Sequence, residues 1–346
     1  MPRNRPRARR GFALPAVLAV TGVVTLIFLV AITALASLTA EANSARARIR
    51  FLQRALTAEA TLAYMMTTEP LRSHGVMING SPFVDDALLE GGAEGDGRLT
   101  ELVRLDGRPY LMDPDGPMMA RIQDQAGLVN LNFLRGHSLG NLLADLRIPS
   151  SQHGGMEARL IDYTDLDDLR QPDGAEADDY GTGAIANRPL KHPAELLSVL
   201  GLREAVDRRA WTAALPQLTS EGLQSRFNLN TASPYAMKIM LDLDEEQAEA
   251  LIRAREQSPL LNPTMVDTVL GRNLPWGEDL FYNVPGSSMI LAFHDGQSGW
   301  TYRTRLTLTP KRAERPVWID QTQLLEAPRR ARADTTDAVR LPYAPY

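Results

Sequence analysis

Carboxylates dominate the residues of this chain that could do chemistry. Asp162, Asp165, Asp167, Asp168, Asp173, Glu176, Asp178 and Asp179 place eight acids within eighteen residues. Packed together, such groups repel and raise one another's pKa until something neutralises them. Outside the cytoplasm calcium is the natural neutraliser, because it takes about six to eight oxygens and tolerates irregular loops. The spacing does not follow the EF-hand pattern D-x-[DN]-x-[DN]-G. A solvated acidic loop, the usual meaning of a charge run, fits the same residues. On the residues alone the two readings stand level.

Other chemistry is sparse. His74, His137, His153, His192 and His294 are scattered, without metal-ligand spacing. Gly181-Thr182-Gly183 neither follows a strand nor opens a phosphate loop. No enzyme constellation stands out. Leu197–Gly201 and Asn230–Arg255 look like helix-hairpin-helix repeats, which offers a rival function: a membrane-anchored protein that grips DNA for uptake. Such hairpins need a Gly-rich turn with basic residues around it. Here the turn Leu241-Asp242-Leu243-Asp244-Glu245-Glu246 is acidic and has no glycine.

Charge narrows the partners. The chain has 37 basic and 42 acidic residues, net −5. Removing residues 1–11 takes away five arginines and no acid, which leaves 32 against 42, or −10. An acidic body is a poor partner for nucleic acid or anionic lipid and suits proteins or cations. The absence of cysteine fits the periplasm.

The elements that must position these residues begin with a membrane segment. Arg3, Arg5, Arg7, Arg9 and Arg10 precede a run from Gly11 to Ala40 with no charged residue. About 20 apolar residues cross a bilayer, and the arginines place the N-terminus in the cytoplasm. Arg46, Arg48 and Arg50 oppose that orientation weakly. Ala45, Ile49, Leu52, Leu56, Ala60, Ala63 and Met66 then recur at helical spacing, and no Pro or Gly interrupts residues 23–69. One continuous helix is expected from about Phe12 to Thr68, with the span over about 12–35 and a total length of roughly 85 Å. Two helices with a bend near Glu41 are the alternative. A cleaved secretory signal, with a mimic of its cleavage site at Ala34-Leu35-Ala36, wants a shorter apolar core than this run. An unprocessed signal anchor is the other rival.

Residues 71–98 read as a Gly-rich acidic loop. Leu99–Leu105 and Arg108–Met112 flank Asp106-Gly107, a hairpin signal, and Met119–Asp124 reads as a third strand. Helical patterns follow at Leu142–Leu146, Met156–Tyr163, Pro193–Leu200, Glu204–Ala213, Pro234–Leu241 and Glu245–Arg255. Strands return at Met289–His294, Tyr302–Thr309 and Val317–Gln321, and the last stretch, residues 326–346, reads as a disordered tail. Strands, a helical block and strands again imply an α+β protein. A small antiparallel sheet domain (69–124 and 285–325) carries an inserted all-α domain over 125–284, about 150 residues and of ordinary domain size.

Several motifs resemble a known family. Arg10-Gly11-Phe12-Ala13-Leu14 before an uncharged helix resembles the leader of type IV prepilins and type II secretion pseudopilins. Asp124-Gln125-Ala126-Gly127-Leu128-Val129-Asn130-Leu131-Asn132 resembles the "D/E-x-A-G-x-I-N-L-N" start of the helical domain in the minor pseudopilin K family of type II secretion. The acidic run with Gly174-Ala175-Glu176 and Tyr180 resembles the acidic loop of that family. Asn187-Arg188-Pro189, Glu195-Leu196-Leu197, Leu200-Gly201 and Asn228-Leu229-Asn230-Thr231-Ala232 complete the pattern. The resemblance runs from Gly11 to about Leu325.

It implies a pilin-like fold and a structural, non-enzymatic subunit at the tip of a pseudopilus in the bacterial inner membrane, with a periplasmic body. It implies other minor pseudopilins, a prepilin peptidase and the inner-membrane secretion platform as partners. The peptidase would cut after Gly11 and methylate Phe12. Most pseudopilins carry Glu at the fifth mature residue; Ala16 stands there, as the K family implies for a subunit with none ahead of it. Tyr163 replaces the family's usual Trp. Calcium is the implied ion, and Asp165, Asp167, Asp173, Glu176 and Asp179, which lie beyond the helix ending near Tyr163, are the favoured ligands.

Overall fold

A computed structural model describes residues 13–73, 75–78, 101–113, 116–181, 185–221, 227–274, 281–310, 313–326 and 338–343. Two compact units divide at Gln53 and Arg54. Helix α1 (Ala13–Thr68) is one unbroken element that enters both, rather than two separate helices. This is the one helix among the described residues long and apolar enough to cross a bilayer. In its first half Leu14, Val17, Leu18, Ile27, Phe28 and Leu35 are all exposed. The hydroxyls in this stretch find partners inside the helix: Thr21, Thr25 and Thr39 donate to the carbonyls of Val17, Thr21 and Leu35 at 2.8, 2.8 and 2.7 Å. Backbone acceptors thus satisfy side chains that an apolar phase would otherwise penalise. Pro70 ends the helix, since it offers no N–H and biases the residue before it away from helix.

The second unit is built on two sheets. β1 (Leu71–Arg72), β2 (Gly75–Ile78) and β3 (Glu101–Arg104) pair in that order. Residues 71–98 were expected to be loop, yet β2 is buried at every position. A continuous apolar run marks a fully covered strand, which alternation misses. β4 (Asp106–Met112), β5 (Met118–Asp124), β10 (Ser288–His294), β11 (Trp300–Leu308), β12 (Val317–Glu326) and β13 (Val339–Arg340) form the larger sheet, in order β12-β11-β10-β5-β4-β13. The two-residue strands β6 (Val129–Asn130), β7 (Leu218–Thr219), β8 (Phe227–Asn228) and β9 (Phe281–Tyr282) pair within the intervening segment.

Two further expectations need correction. β3 and β4 are not a hairpin: β3 pairs with β2 and β4 with β5. Gly107, at φ +79°, serves a bulge in β4 where the register shifts between Asp106 and Pro109, a second use of the left-handed conformation. The C-terminal stretch 326–346 is not wholly without structure. β13 adds to β4 in parallel, the Leu341 N–H donates to the Leu111 carbonyl at 2.9 Å, and Leu341 is buried.

Between β5 and β10 lie helices α2 (Gly136–Asp145), α3 (His153–Thr164), α4 (Arg208–Ala214), α5 (Pro234–Leu241), α6 (Glu245–Gln257) and α7 (Pro263–Leu270). Their core joins residues such as Leu134, Leu142, Leu160, Leu196, Met237 and Leu251. β5 and β10 pair antiparallel from Asp124↔Met289 to Met119↔His294, so the chain leaves for the helical block and returns at neighbouring positions.

Asp124 holds that junction. Its carboxylate is fully buried. Oδ1 accepts from the N–H of Ala126 and of Gly286, both at 3.0 Å. Oδ2 accepts from Thr231 Oγ1 at 2.8 Å and Asn228 Nδ2 at 3.3 Å. Residues on the way out, inside the block and on the way back thus meet on one side chain. Burial pushes its pKa up to about 6, although all four donors oppose the rise.

A second tie is ionic. Arg255 on α6 is buried; it donates to the carbonyls of Leu229 and Ala232, both at 2.7 Å, and lies 3.5 Å from Asp106 Oδ2. Asp106 also accepts Arg108 through Nε and Nη2. The near half of the sheet meets α1 through Tyr302, whose hydroxyl donates to Glu59 Oε2 at 2.7 Å.

Asp124→Asn should destabilise the full chain by about 1–3 kcal/mol, since its amide would face the Asn228 amide donor to donor. Because the folded pKa of about 6 exceeds the ordinary 3.8, the native state binds more protons between those values. Stability should therefore fall as pH rises from about 4 to about 6. Denaturant melts across that window should show this slope in the natural chain and a shallower one in Asp124→Asn.

Candidate functional site

The acidic loop begins inside α3. Asp162 is fully buried, and both its oxygens accept the Gln171 N–H, at 3.1 and 3.2 Å. That bond folds the chain back over the helix end. Gly174 completes the closure: a Cβ there would stand 2.0 Å from Asp162 Oδ2, so only glycine fits. Behind the loop the rings of Tyr163 and Tyr180 lie 5.7 Å apart, and the Tyr180 hydroxyl accepts the Leu200 N–H at 3.1 Å.

Within this frame four acceptor oxygens are buried and have no hydrogen-bond partner among the described residues: Asp165 Oδ1, both carboxylate oxygens of Glu176, and Asn187 Oδ1. Burial raises the pKa of Asp165, and Asp167, Asp162 and Asp168 add to the rise. Glu176 is raised by desolvation and then by Asp162, Asp165, Asp168 and Asp167. Among the described residues no cation offsets either group. Orphaned buried acceptors are uncommon and expensive, and here they share one sign and one place.

The sequence-derived residues divide in two. Asp165, Asp167 and Glu176 fall together, with Asp162 and Asp168. Asp173 and Asp179 stand apart in their bonding: Asp173 takes φ +63° as a turn residue, and Asp179 pairs with Arg170 and accepts the Glu176 N–H at 3.0 Å. Asn187 enters the group unforeseen as a donor set member. It donates to Asp168 at 3.1 Å, which leaves its amide oxygen free. Its left-handed φ of +39° gives no trace in a single sequence. Among the described residues no three His, Asp or Glu side chains stand ready as a metal centre. The donors are all hard oxygens, which suits a calcium-like ion in kind, and such ions accept irregular loops. Gly11 and Phe12 lie outside the described residues.

Other motif residues fix the scaffold. Arg188 grips Glu195 with two nitrogens, at 3.3 and 2.7 Å. Asn132 ties Leu190 and Ser220 together. Asn230 exchanges both its amide bonds with Leu260, at 2.9 and 2.7 Å. The α5–α6 turn carries Asp242 at φ +53° and Asp244 as the cap of α6, so it presents carboxylates where a DNA backbone would need donors.

Residues 124–217 match the family model described as type II secretion system (T2SS), protein K. That segment is similar to the protein K family. It starts at the Asp124 junction and contains the whole acidic loop. The chain is also 33% identical over 163 residues to "Type II secretion system protein K" of Pseudomonas aeruginosa, covering 42% of this chain. It spans about half the length of that curated relative, 47%. A chain in the crystal structure of the GspK-GspI-GspJ complex from the enterotoxigenic Escherichia coli type 2 secretion system matches with a TM-score of 0.50. That match has 14% identity and covers 82% of this chain and 96% of the other. At that identity the likeness is one of fold.

Glu176→Gln should raise the melting temperature of the chelator-treated chain, because it removes a buried charge with no partner. With both folded pKa values raised, the chelated natural chain should be more stable near pH 4 than at pH 7. A lower melting temperature for Glu176→Gln in chelator would show that the charge is already compensated.

Proposed function

We propose that this chain is a minor pseudopilin of type II protein secretion, a structural subunit that works by association rather than catalysis. The protein K segment at 124–217 is the observation that carries this reading. The apolar half of α1 is the inner-membrane anchor, single-pass, with the basic N-terminus in the cytoplasm and the body in the periplasm. The leader is cut after Gly11 by a prepilin peptidase, and Phe12 becomes the methylated first residue.

Other minor pseudopilins and the inner-membrane platform are the partners. The solved complex with a similar fold contains three proteins of that system, which supports association of this kind. The subunit sits at the tip. Ala16 offers no carboxylate to a subunit ahead, and an inserted block as large as an ordinary domain would crowd a packed shaft. Apolar helix packing still docks it on the subunit below.

The acidic loop binds calcium through Asp165 and Glu176, with Asp167, Asp168 and the Asn187 amide oxygen nearest to join them. The ion would supply the positive charge that the loop lacks and so order it.

Mass spectrometry of the mature chain should find Phe12 first and N-methylated; an intact Met1 would sink the prepilin reading. The body should co-purify with other minor pseudopilins, and a labelled copy found at regular intervals along a filament would overturn the tip placement. Calcium should raise the melting temperature and chelator should reverse the rise, since a ligand of the native state alone stabilises it. A melt indifferent to both would leave the loop as solvated surface.

A further inference from the structure

The two faces of the large sheet differ in chemistry. Tyr302 and Leu306 of β11 are buried, and Tyr302 reaches Glu59 on α1. Arg303 and Arg305 alternate with them and point to the other face, as strand geometry requires. Arg305 is neutralised: its Nε and Nη2 each lie 2.6 Å from the Asp320 carboxylate, and it also meets Glu221. Arg303 has neither a hydrogen bond nor an ion pair among the described residues, although burial depresses its pKa. A guanidinium held partly out of water without a carboxylate is a cost to the fold.

That guanidinium lines a cavity of about 150 Å³, shared with Gln125, His192, Pro193, Ile290 and Gln323. His192 is set up as a donor. Its Nδ1 accepts the Ala194 N–H at 3.1 Å, so in the neutral ring the proton is on Nε2. Desolvation, then Arg303, lowers its pKa, which keeps the ring neutral at pH 7.

The strand beside Arg303 is also distorted. Arg303 pairs with Gln323 but Arg305 with Asp320, so β12 carries one extra residue there. Gln321 takes φ +49° to accommodate it, a conformation that non-glycine residues seldom hold and that clusters at binding sites. The bulge puts both Gln321 and Gln323 on the cavity.

We propose that this cleft between β11–β12 and the His192–Pro193 turn binds a single carboxylate of a polypeptide, with Arg303 as the charged donor and His192 Nε2–H as the neutral one. The volume suits one side-chain-sized group and lies below the several hundred Å³ typical of cofactor sites. Pro193 and Ile290 give the apolar wall that a methylene stem would cover. A carboxylate there would give Arg303 the partner that Arg305 already has.

The test uses the full chain in detergent with ring-labelled histidine, followed by NMR. N-acetyl-glutamic acid α-amide presents a side-chain carboxylate, N-acetyl-glycine a chain-terminal one, and inorganic phosphate neither. Saturable shifts of the His192 ring with either carboxylate are expected, and the stronger of the two names the source. Arg303→Gln should weaken that binding about tenfold or more, as for loss of a charge-assisted contact. Arg303→Lys should fall between them. Arg303→Gln should leave the melting temperature unchanged or higher without ligand. No shift with either carboxylate, shifts with phosphate alone, equal binding by Arg303→Gln, or a lowered melting temperature for that variant would each overturn the assignment.

Discussion

The fold of the second unit depends on a buried carboxylate with four donors. An insertion between two adjacent strands must leave and re-enter the sheet at one place, and its backbone groups there belong to neither ladder. Asp124 answers several of those unmatched donors at once: the Ala126 N–H on the way out, the Gly286 N–H on the way back, and Asn228 and Thr231 from within the block. An apolar residue there would leave both backbone donors unmet, and would leave Thr231 and Asn228 only their longer bonds to the Asn228 and Ser73 carbonyls, at 3.3 and 3.4 Å. The cost is a charge out of water, which the raised pKa expresses. Gly127 belongs to the same constraint. A Cβ there would lie 2.4 Å from the Thr231 carbonyl oxygen, so the exit turn and the Asn228–Thr231 turn touch backbone to backbone.

The second joint solves a harder electrostatic problem. Arg104, Arg108 and Arg255 gather near two acids, Asp106 and Glu256. Arg255 is the most buried of the three cations, and desolvation carries its pKa down to about 10 despite Asp106 beside it. Asp106 moves the opposite way in effect, its carboxyl held low by Arg108 and Arg255 against its own desolvation. These directions agree: the arginines outnumber the acids, so the acid gains more than the central arginine does. A pKa of about 10 still leaves Arg255 charged at neutral pH, and the Leu229 and Ala232 carbonyls accept from its guanidinium.

Much of this was legible in the sequence where the signal is local. Helix α5 follows Ser233, which caps the Ala236 N–H, and Pro234, which suits a first helical turn. The box of Asp244 with Gln247 opens α6. The long α1 follows from an uninterrupted pattern with no Gly or Pro after residue 22. Partner choice was not legible. Asp106-Gly107 has the composition of a hairpin turn, yet Asp106 is committed to Arg108 and Arg255, the latter far along the chain. β13 is two residues long and parallel, and only its contact with β4 distinguishes it from coil. The acidic run was visible as a run. Which of its members converge depends on Gly174 closing over Asp162 and on Asn187 coming in from beyond the loop, and neither has a sequence period.

The acidic loop and the Arg303 cleft are mirror cases of one physical condition. In each, the fold holds charge of a single sign away from water and supplies no partner among the described residues. Elsewhere the same chain neutralises its buried charges with care: Arg305 by Asp320, Arg255 by Asp106 and two carbonyls, Arg188 by Glu195. The acidic loop and the Arg303 cleft stand apart from those pairs. They also lie in different surroundings. Asp165 and Glu176 repel one another and gain from a small dense cation, whereas Arg303 stands with a neutral donor ring and amides, which suits one planar anion. A chain that leaves these positions uncompensated among the described residues has its stability tied to what it binds, and that suits a subunit whose work is assembly.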